Sequence, residues 1–285
     1  MTTLIVGCGY LGQVVGHQLI SLGQKVIGTV RSPERAARLA ELGIEPCIVD
    51  VLPPATLGSL PKAERIFYCV GFDRSAGIPM RSVYVDGLRN FLDHAADRLE
   101  KLVYASSTGV YGQADGGWVT EDSPTEPTHE AGKVCLEAET TARLYHRPHR
   151  PIVILRFAGL YGPGRIVRRE ALLRNEPVVG APEKYLNLVH VHDAAQTVVT
   201  ALESETSSGC YLVCDDRPVP RRDYYELAAE LLGAPSPRFE TPAPDSPEAR
   251  RDTSNKRISN HRLHAELGVR LKYPDITTGL AAALG

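Results

Sequence analysis

The chain has 285 residues, a formal net charge of −2, six cysteines and 32 basic residues scattered along its length. That length can bury a sizeable core in one large α/β domain, or in one domain with a lobe, and the charge balance gives no nucleic-acid surface. No apolar run approaches a membrane span, no signal peptide is expected ahead of the first strand, and cysteines without CxxC spacing (Cys47, Cys69 and Cys214 within apolar runs) predict reduced, mostly buried thiols in a cytoplasmic protein.

The first predicted strand is Thr2-Thr3-Leu4-Ile5-Val6, and Gly7-Cys8-Gly9-Tyr10-Leu11-Gly12 follows it directly. A β-branched strand running into GxGxxG ahead of a helical pattern is the fingerprint of a dinucleotide-binding βαβ unit. The first glycine permits the turn, the second lets backbone approach a pyrophosphate, and the third lets helix pack on strand. The helix N-terminus behind them presents N–H groups to the anion. Leu11, Val14, Val15, Gln18, Leu19 and Leu22 form the helical stripe, Gly23 its stop, and residues 25–30 a second parallel strand. Beyond that strand, where an acid would hold the adenosine ribose of NAD, stand Arg31 and Ser32, with Arg35 one turn on. Guanidinium groups there suit a ribose 2′-phosphate, so NADP is the expected cofactor and NAD the alternative; a solvated helix entrance is the plain reading of the same arginines. Residues 44–50 and 65–70 read as the third and fourth strands, and 80–99 as a helix. Residues 101–106 read as the fifth strand, 126–145 as a helix, and 151–157 as the sixth strand. This alternation predicts a doubly wound parallel sheet covered by helices, with ligands beyond the carboxyl ends of the strands. Asp50 and Val51, Val70 and Gly71, and Ser106-Ser107 fall at such ends, and Asp50 is placed to accept the adenine amino group. After residue 157 the rhythm loosens, and the proline-rich stretch 233–247 predicts a loop.

The segment Tyr104-Ala105-Ser106-Ser107-Thr108-Gly109-Val110-Tyr111-Gly112 resembles the active-site strand of the extended short-chain dehydrogenase/reductases, the NAD-dependent epimerase/dehydratase family. Further segments resemble that family in the right order: 84–90, 155–164, 188–195, 256–260 and 266–268. The resemblance implies a Rossmann domain over 1–156, rejoined by 188–214, and a smaller substrate lobe made mainly of 157–285. It also implies a homodimer through the helices near 80–99 and 126–145, and a hydroxyl or carbonyl substrate such as a nucleotide sugar. Two departures stand out. The glycine loop is GxGxxG where extended members carry GxxGxxG, as in the atypical subgroup. On the active-site helix Lys133 and Glu137 match, but His129 occupies the place of the catalytic Tyr.

In the family the Lys grips the nicotinamide ribose and lowers the Tyr pKa, and a Ser or Thr at the place of Ser107 polarises the substrate oxygen. Residues four apart on a helix share a face, so His129 and Lys133 are expected to address one ligand. His129 is then the substituted acid/base, or Tyr111 or water supplies the proton, or the site has lost its chemistry and the protein senses NADP(H) without turning it over. Phe72, Thr108 and Arg165 are expected on the substrate side, with Arg168 and Arg169 beside Arg165. His190-Val191-His192-Asp193 has the look of a metal site, but the resemblance makes it a structural strand end, so no metal is expected.

Overall fold

The computed structural model describes the chain except residues 96–98, 206–208, 247–248 and 250–251; the parts of the expected helix over 80–99 and loop over 233–247 that touch these lie outside the described residues. In chain order the first elements are β1 (Thr2–Val6), α1 (Tyr10–Ser21), β2 (Lys25–Val30), α2 (Pro33–Glu41), β3 (Glu45–Ile48) and β4 (Arg65–Tyr68). A π-helical turn, Ser82–Asp86, leads into α3 (Gly87–Ala95), followed by β5 (Lys101–Ser107), the short β6 (Trp118–Val119), α4 (Glu130–Leu144) and β7 (Ile152–Phe157). The chain continues through β8 (Gly159–Tyr161), α5 (Arg169–Leu173), β9 (Val178–Val179), β10 (Tyr185–Leu186), β11 (Leu188–His190) and α6 (Val191–Glu203). Then come β12 (Gly209–Val213), β13 (Val219–Pro220), α7 (Arg221–Leu232), β14 (Phe239–Glu240), β15 (Arg257–Ile258) and two closing helices, His261–Leu267 and Ile276–Leu284.

Packing divides these elements into two compact units: Met1–Ser107 with Glu130–Arg156 and Ala195–Tyr211, and Thr108–His129 with Phe157–Ala194 and Leu212–Gly285. The first unit is built on a seven-stranded sheet of order β12-β7-β5-β4-β1-β2-β3. The pairs β1–β2, β1–β4, β2–β3 and β4–β5 are parallel. Chain order reverses between β1 and β4, the switch point at which doubly wound sheets open a crevice for ligand. β7 (Ile-Val-Ile-Leu-Arg-Phe) is buried at every position, the continuous apolar run expected of a strand covered on both faces. β3 is the exposed edge, which is why Pro46 is tolerated in it.

The expected elements hold with local corrections. Leu22, placed on the buried stripe of the first helix, is 59% exposed, because α1 ends at Ser21 and Gly23 turns the chain in the left-handed region. The helix expected over 80–99 divides into the π-turn and α3. The helix expected over 126–145 begins only at Glu130. Pro127 holds the residue before it out of the helical region, and Gly112, having no side chain, lets the Glu126 carbonyl approach to where a Cβ would stand 2.0 Å away. Three thiols (Cys8, Cys135, Cys214) are buried and three (Cys47, Cys69, Cys210) only partly so; all six are unbridged.

The second unit consists of short two-stranded pairs, β8–β11, β9–β14, β10–β13 and β6–β15, joined by α7 and the two closing helices. Its core gathers Tyr161, Leu172, Tyr224, Ile276 and Leu280. Gly279 lies flat on Tyr161; a Cβ there would stand 1.8 Å from the phenol oxygen.

Candidate active site

The glycine loop shows three separate physical reasons for glycine. Gly7 has φ +86°, and a Cβ on it would stand 2.6 Å from the Val70 Cα, so this position needs both the left-handed freedom and the missing side chain. Gly12 presses α1 onto the sheet: its Cβ would meet Ile5 Cγ2 at 3.0 Å, with Cys8 Sγ and Cys69 Sγ at 3.5 Å. Gly9 differs from both. It is exposed, and a Cβ there would meet nothing nearer than the Gly7 carbonyl at 3.9 Å. Packing therefore does not demand a glycine at this position; a close backbone approach by a ligand would. Gly9 is also the N-cap of α1 and offers no capping side chain, so the helix begins at Tyr10 with Leu11 and Gly12 in its open first turn. The loop is held in place by the Gly7 amide donating to Thr29 Oγ1 at 2.9 Å and the Cys8 amide to the Thr29 carbonyl at 2.9 Å. Burial raises the Cys8 thiol to about 12, consistent with a filler rather than a reactive group.

Around this loop lie the other predicted cofactor residues of the first unit. Ser32 caps α2, its hydroxyl accepting from the Arg35 amide at 3.4 Å. Arg31 is exposed and faces Asp73, Nη2 to Oδ2 3.7 Å. The Ser75 hydroxyl and amide hold the Asp73 carboxyl below the usual carboxylate range, with Arg31 and Arg35 adding to the effect. Asp50 Oδ1 accepts from the Leu52 amide at 3.0 Å, and buried Val51 packs against Gly87. A residue that sequence reading left without a role pins this loop: Asn90 on α3 donates to the Val51 and Leu52 carbonyls at 3.2 and 2.9 Å. Val70 is half-buried behind Gly7, and Gly71 is exposed with open space where a Cβ would be. Phe72 sets its ring edge-on to Tyr84, centroids 6.3 Å apart.

Ser107 is half-buried at the carboxyl end of β5. Its neighbour Ser106 points inward and donates to Glu139 Oε1 at 2.6 Å. Arg156 from β7 completes a buried bidentate pair, Nε to Oε1 at 2.9 Å and Nη2 to Oε2 at 2.7 Å. α4 is thus fastened to β5 and β7 through Glu139. The buried stripe of α4 is Val134, Cys135, Ala138, Glu139 and Ala142. Lys133 is exposed, about 200° around the helix from Cys135. Glu137, which matches the family pattern four residues after Lys133, pairs with Arg81, Nε to Oε2 3.1 Å.

His129, in the second unit, immediately precedes the first residue of α4. The His129 Nε2 lies 3.3 Å from Thr253 Oγ1. Tyr111 is fully buried, and its carbonyl accepts from Lys256 Nζ at 2.6 Å. Burial lowers the Lys256 ammonium to about 8. Thr108 is buried, opening a 3₁₀ turn, and Arg165 is exposed on a tight turn closed by two backbone hydrogen bonds to Gly162. His190 ends β11, whereas His192 and Asp193 stand in the first turn of α6. The Asp193 carboxylate accepts the Lys272 and Tyr273 amides, both at 2.8 Å, and His190 stacks on His192 and Tyr273. Among the described residues no three His, Cys, Asp or Glu side chains gather closely enough to hold a metal ion.

The signature of the NAD dependent epimerase/dehydratase family matches residues 3–214. The chain is 30% identical to protein YeeZ of Escherichia coli (strain K12) over 279 residues, covering 95% of this chain and 96% of that one. A functionally unknown conserved protein from Silicibacter pomeroyi has a solved structure that superposes with a TM-score of 0.81 at 32% identity, covering 99% of this chain and 98% of that one. MoeE5, solved with UDP-glucose and NAD, superposes with a TM-score of 0.83 at 21% identity over 100% and 97% of the two chains, a likeness of fold. Among the described residues no helix is long and apolar enough to cross a membrane. A glycine loop of this construction at the switch point of a seven-stranded sheet, with a family signature across three quarters of the chain, places the protein in the NAD-dependent epimerase/dehydratase family.

Proposed function

We propose that the chain is an NAD(P)-dependent enzyme that moves a hydride to or from a hydroxyl- or carbonyl-bearing carbon of a small substrate, with a nucleotide sugar as the substrate class. The observation that carries this reading is Gly9, exposed, unconstrained by packing and set at an uncapped helix N-terminus, which fits a pyrophosphate approaching the backbone. Gly7, Gly12, Tyr10 and Leu11 complete that cradle. Asp50 and Val51 are assigned to the adenine, Arg31 and Ser32 to its ribose, and Val70 and Gly71 to the stretch beyond the pyrophosphate. NADP is proposed over NAD because Arg31 and Arg35 can face a 2′-phosphate and no acid follows β2 directly. When bound, the nicotinamide supplies the hydride chemistry. Ser107 hydrogen-bonds the substrate oxygen at the end of β5, and His129 is the proton carrier, its imidazole oriented by the Thr253 hydroxyl. Thr108, Phe72 and Arg165 are assigned to the substrate, Arg165 as the guanidinium for an anionic group. A homodimer through α3 and α4, which pack against each other within the first unit, is proposed on the family resemblance; size-exclusion chromatography with light scattering giving a monomer rejects it.

The test is turnover of NADPH or NADH with a panel of keto-sugar nucleotides and small carbonyl compounds, on the wild type and on His129→Ala. Turnover lost in the variant with cofactor affinity retained supports the assignment. Full activity in His129→Ala removes His129 from the chemistry, and cofactor binding with no turnover of any compound favours a protein that senses the cofactor.

A further inference from the structure

Strand β4 ends against the glycine loop: the Val70 backbone lies on Gly7, and the Cys69 amide donates to the Val6 carbonyl at 2.9 Å. From there residues 71–77 leave the sheet as a short flap. Gly71 and residues 73–77 are exposed, and Phe72 is half-buried. A glycine stands at each end. A Cβ on either would meet no atom within 4 Å, and Gly77 takes the left-handed region at φ +67°. Packing holds neither end, which suits a segment that turns about its termini. Between them a single 3₁₀ turn, Arg74–Ala76, is capped by Asp73.

Phe72 and Asp73 hold this flap down. The Phe72 ring sits edge-on to Tyr84, and Asp73 Oδ2 faces Arg31 Nη2 at 3.7 Å. In the sheet β1 lies between β2 and β4, parallel to both. A contact from Arg31, just past β2, to Asp73, past β4, therefore bridges the strands on either side of β1, at the carboxyl ends where the glycine loop emerges. The two side chains are 41% and 43% exposed, and their separation is too long for a hydrogen bond, so the attraction is screened and weak. Asp73 does not depend on it: Oδ1 accepts the Ser75 amide at 3.0 Å and the Ser75 hydroxyl at 2.6 Å. Arg31, by contrast, offers a fork of donors that a phosphate fills better than one distant carboxylate oxygen.

We infer that Asp73 is a cofactor-selecting residue: its carboxylate and the ribose 2′-phosphate of NADP compete for Arg31, and the flap is released from the end of β2 when the phosphate wins. This rests on the cofactor reading above, which gives Arg31 to the adenosine ribose. A phosphate carries more negative charge than a carboxylate and meets a guanidinium bidentately, so it displaces Asp73. NAD brings no charge to that position and leaves the pair closed. Part of the interaction between Arg31 and the phosphate is offset by loss of the pair, so the wild type prefers NADP less than Arg31 alone would dictate.

The experiment measures NADPH and NADH dissociation constants for the full chain as wild type, Asp73→Asn, Arg31→Gln and the double variant, together with deuterium uptake of residues 71–77 at saturation with each nucleotide. Asp73→Asn should shift the affinity ratio toward NADPH by about two- to fivefold. Most of that shift should vanish on the Arg31→Gln background, because the competition needs the guanidinium. In the wild type the flap should exchange faster with NADPH bound than with NADH bound, and in Asp73→Asn equally with either. An unchanged ratio in Asp73→Asn overturns the proposal while leaving the cofactor reading intact. A shift of the same size on the Arg31→Gln background is plain repulsion by Asp73 and overturns the competition, and equal uptake with both nucleotides in the wild type overturns the release of the flap. Failure of the wild type to bind either nucleotide overturns the cofactor reading itself.

Discussion

Two buried clusters, one in each unit, handle ionisable groups in opposite ways. In the first unit, Glu139 and Arg156 are 1% and 4% exposed and satisfy each other in a bidentate pair, with the Ser106 hydroxyl taking a further lone pair. In the second, Asp215 is 2% exposed and no side chain among the described residues pairs with its carboxylate, which the Arg217 backbone addresses; the Tyr161 hydroxyl and His190 Nε2 are buried without a hydrogen-bond partner among the described residues. Burial pushes the Asp215 carboxyl up to about 8, with Asp216, Asp275 and Asp193 adding to the rise. The His190 imidazole is lowered to about 4 by burial, then by His192 and Lys272. A paired buried charge fixes an element in place, whereas an unpaired one is kept neutral and ties stability to pH. The first unit therefore has the character of a rigid platform for α4 and the ends of β5 and β7. In the second unit the Asp215–His190 cluster ties stability to pH.

The pairing in the first unit is the most costly to break. Glu139→Ala leaves Arg156 buried and uncompensated and is expected to lower stability by about 3–5 kcal/mol, read by denaturant titration; Glu139→Gln, which keeps hydrogen-bonding capacity, should lose less. A loss within experimental error for the Ala variant would mean that the pair is not a fastening.

Next is the glycine loop of the same unit. Gly7→Ala forces a side chain onto the Val70 backbone at positive φ, with an expected loss of about 1–3 kcal/mol. Gly9→Ala meets no protein atom and should leave the melting temperature unchanged while weakening dinucleotide binding by more than about tenfold. Equal melting temperatures for the two variants would erase the distinction between the packed glycine and the open one.

In the second unit the sign is reversed, and one substitution should stabilise. The folded state holds a proton on Asp215 that the unfolded chain, at its ordinary value of 3.8, has released, so this group costs stability as pH rises toward about 8. His190 acts the other way: its contribution is lost as pH falls from 6.5 toward about 4. The two slopes oppose each other below pH 6.5, and above it Asp215 acts without His190. Wild-type Tm should fall between pH 6.5 and 8, and Asp215→Asn should flatten that fall and raise Tm at pH 8 by about 3–6 °C. A wild-type Tm that is level across this range would show that the carboxyl has found a partner.

The smallest effect concerns the exposed pair Arg31–Asp73. Asp73→Asn frees Arg31 and removes a negative charge near a 2′-phosphate, so NADPH should gain on NADH by about two- to fivefold, less at high salt. An unchanged ratio would separate Asp73 from cofactor choice.

The parts of the molecule legible from sequence are those whose signal is local. The β1–loop–α1 unit announces itself in twelve consecutive residues, and strands such as β7 are apolar at nearly every position because both faces are covered. What escaped depends on partners distant in the chain or on breaks of period. Glu139 and Arg156 are 17 residues apart and on different elements, so their pairing leaves no trace in either segment. The π-turn around Tyr84 contains the same residue types as a helix, and only its hydrogen-bond register differs. The start of α4 at Glu130 was signalled by Pro127. Which residues of α4 meet the sheet, and so the exposure of Lys133, is not encoded by the spacing of polar residues. Asn90 carried a family likeness without a stated task; its two bonds to the Val51–Leu52 carbonyls supply one.

The most direct test of the central claim, that the first unit cradles a nicotinamide dinucleotide on Gly9, is calorimetric titration of the wild type and Gly9→Ala with NADPH and NADH. Micromolar binding by the wild type that is lost in a Gly9→Ala protein of unchanged Tm is the predicted result. Absence of binding to the wild type, or equal binding by the variant, would contradict it.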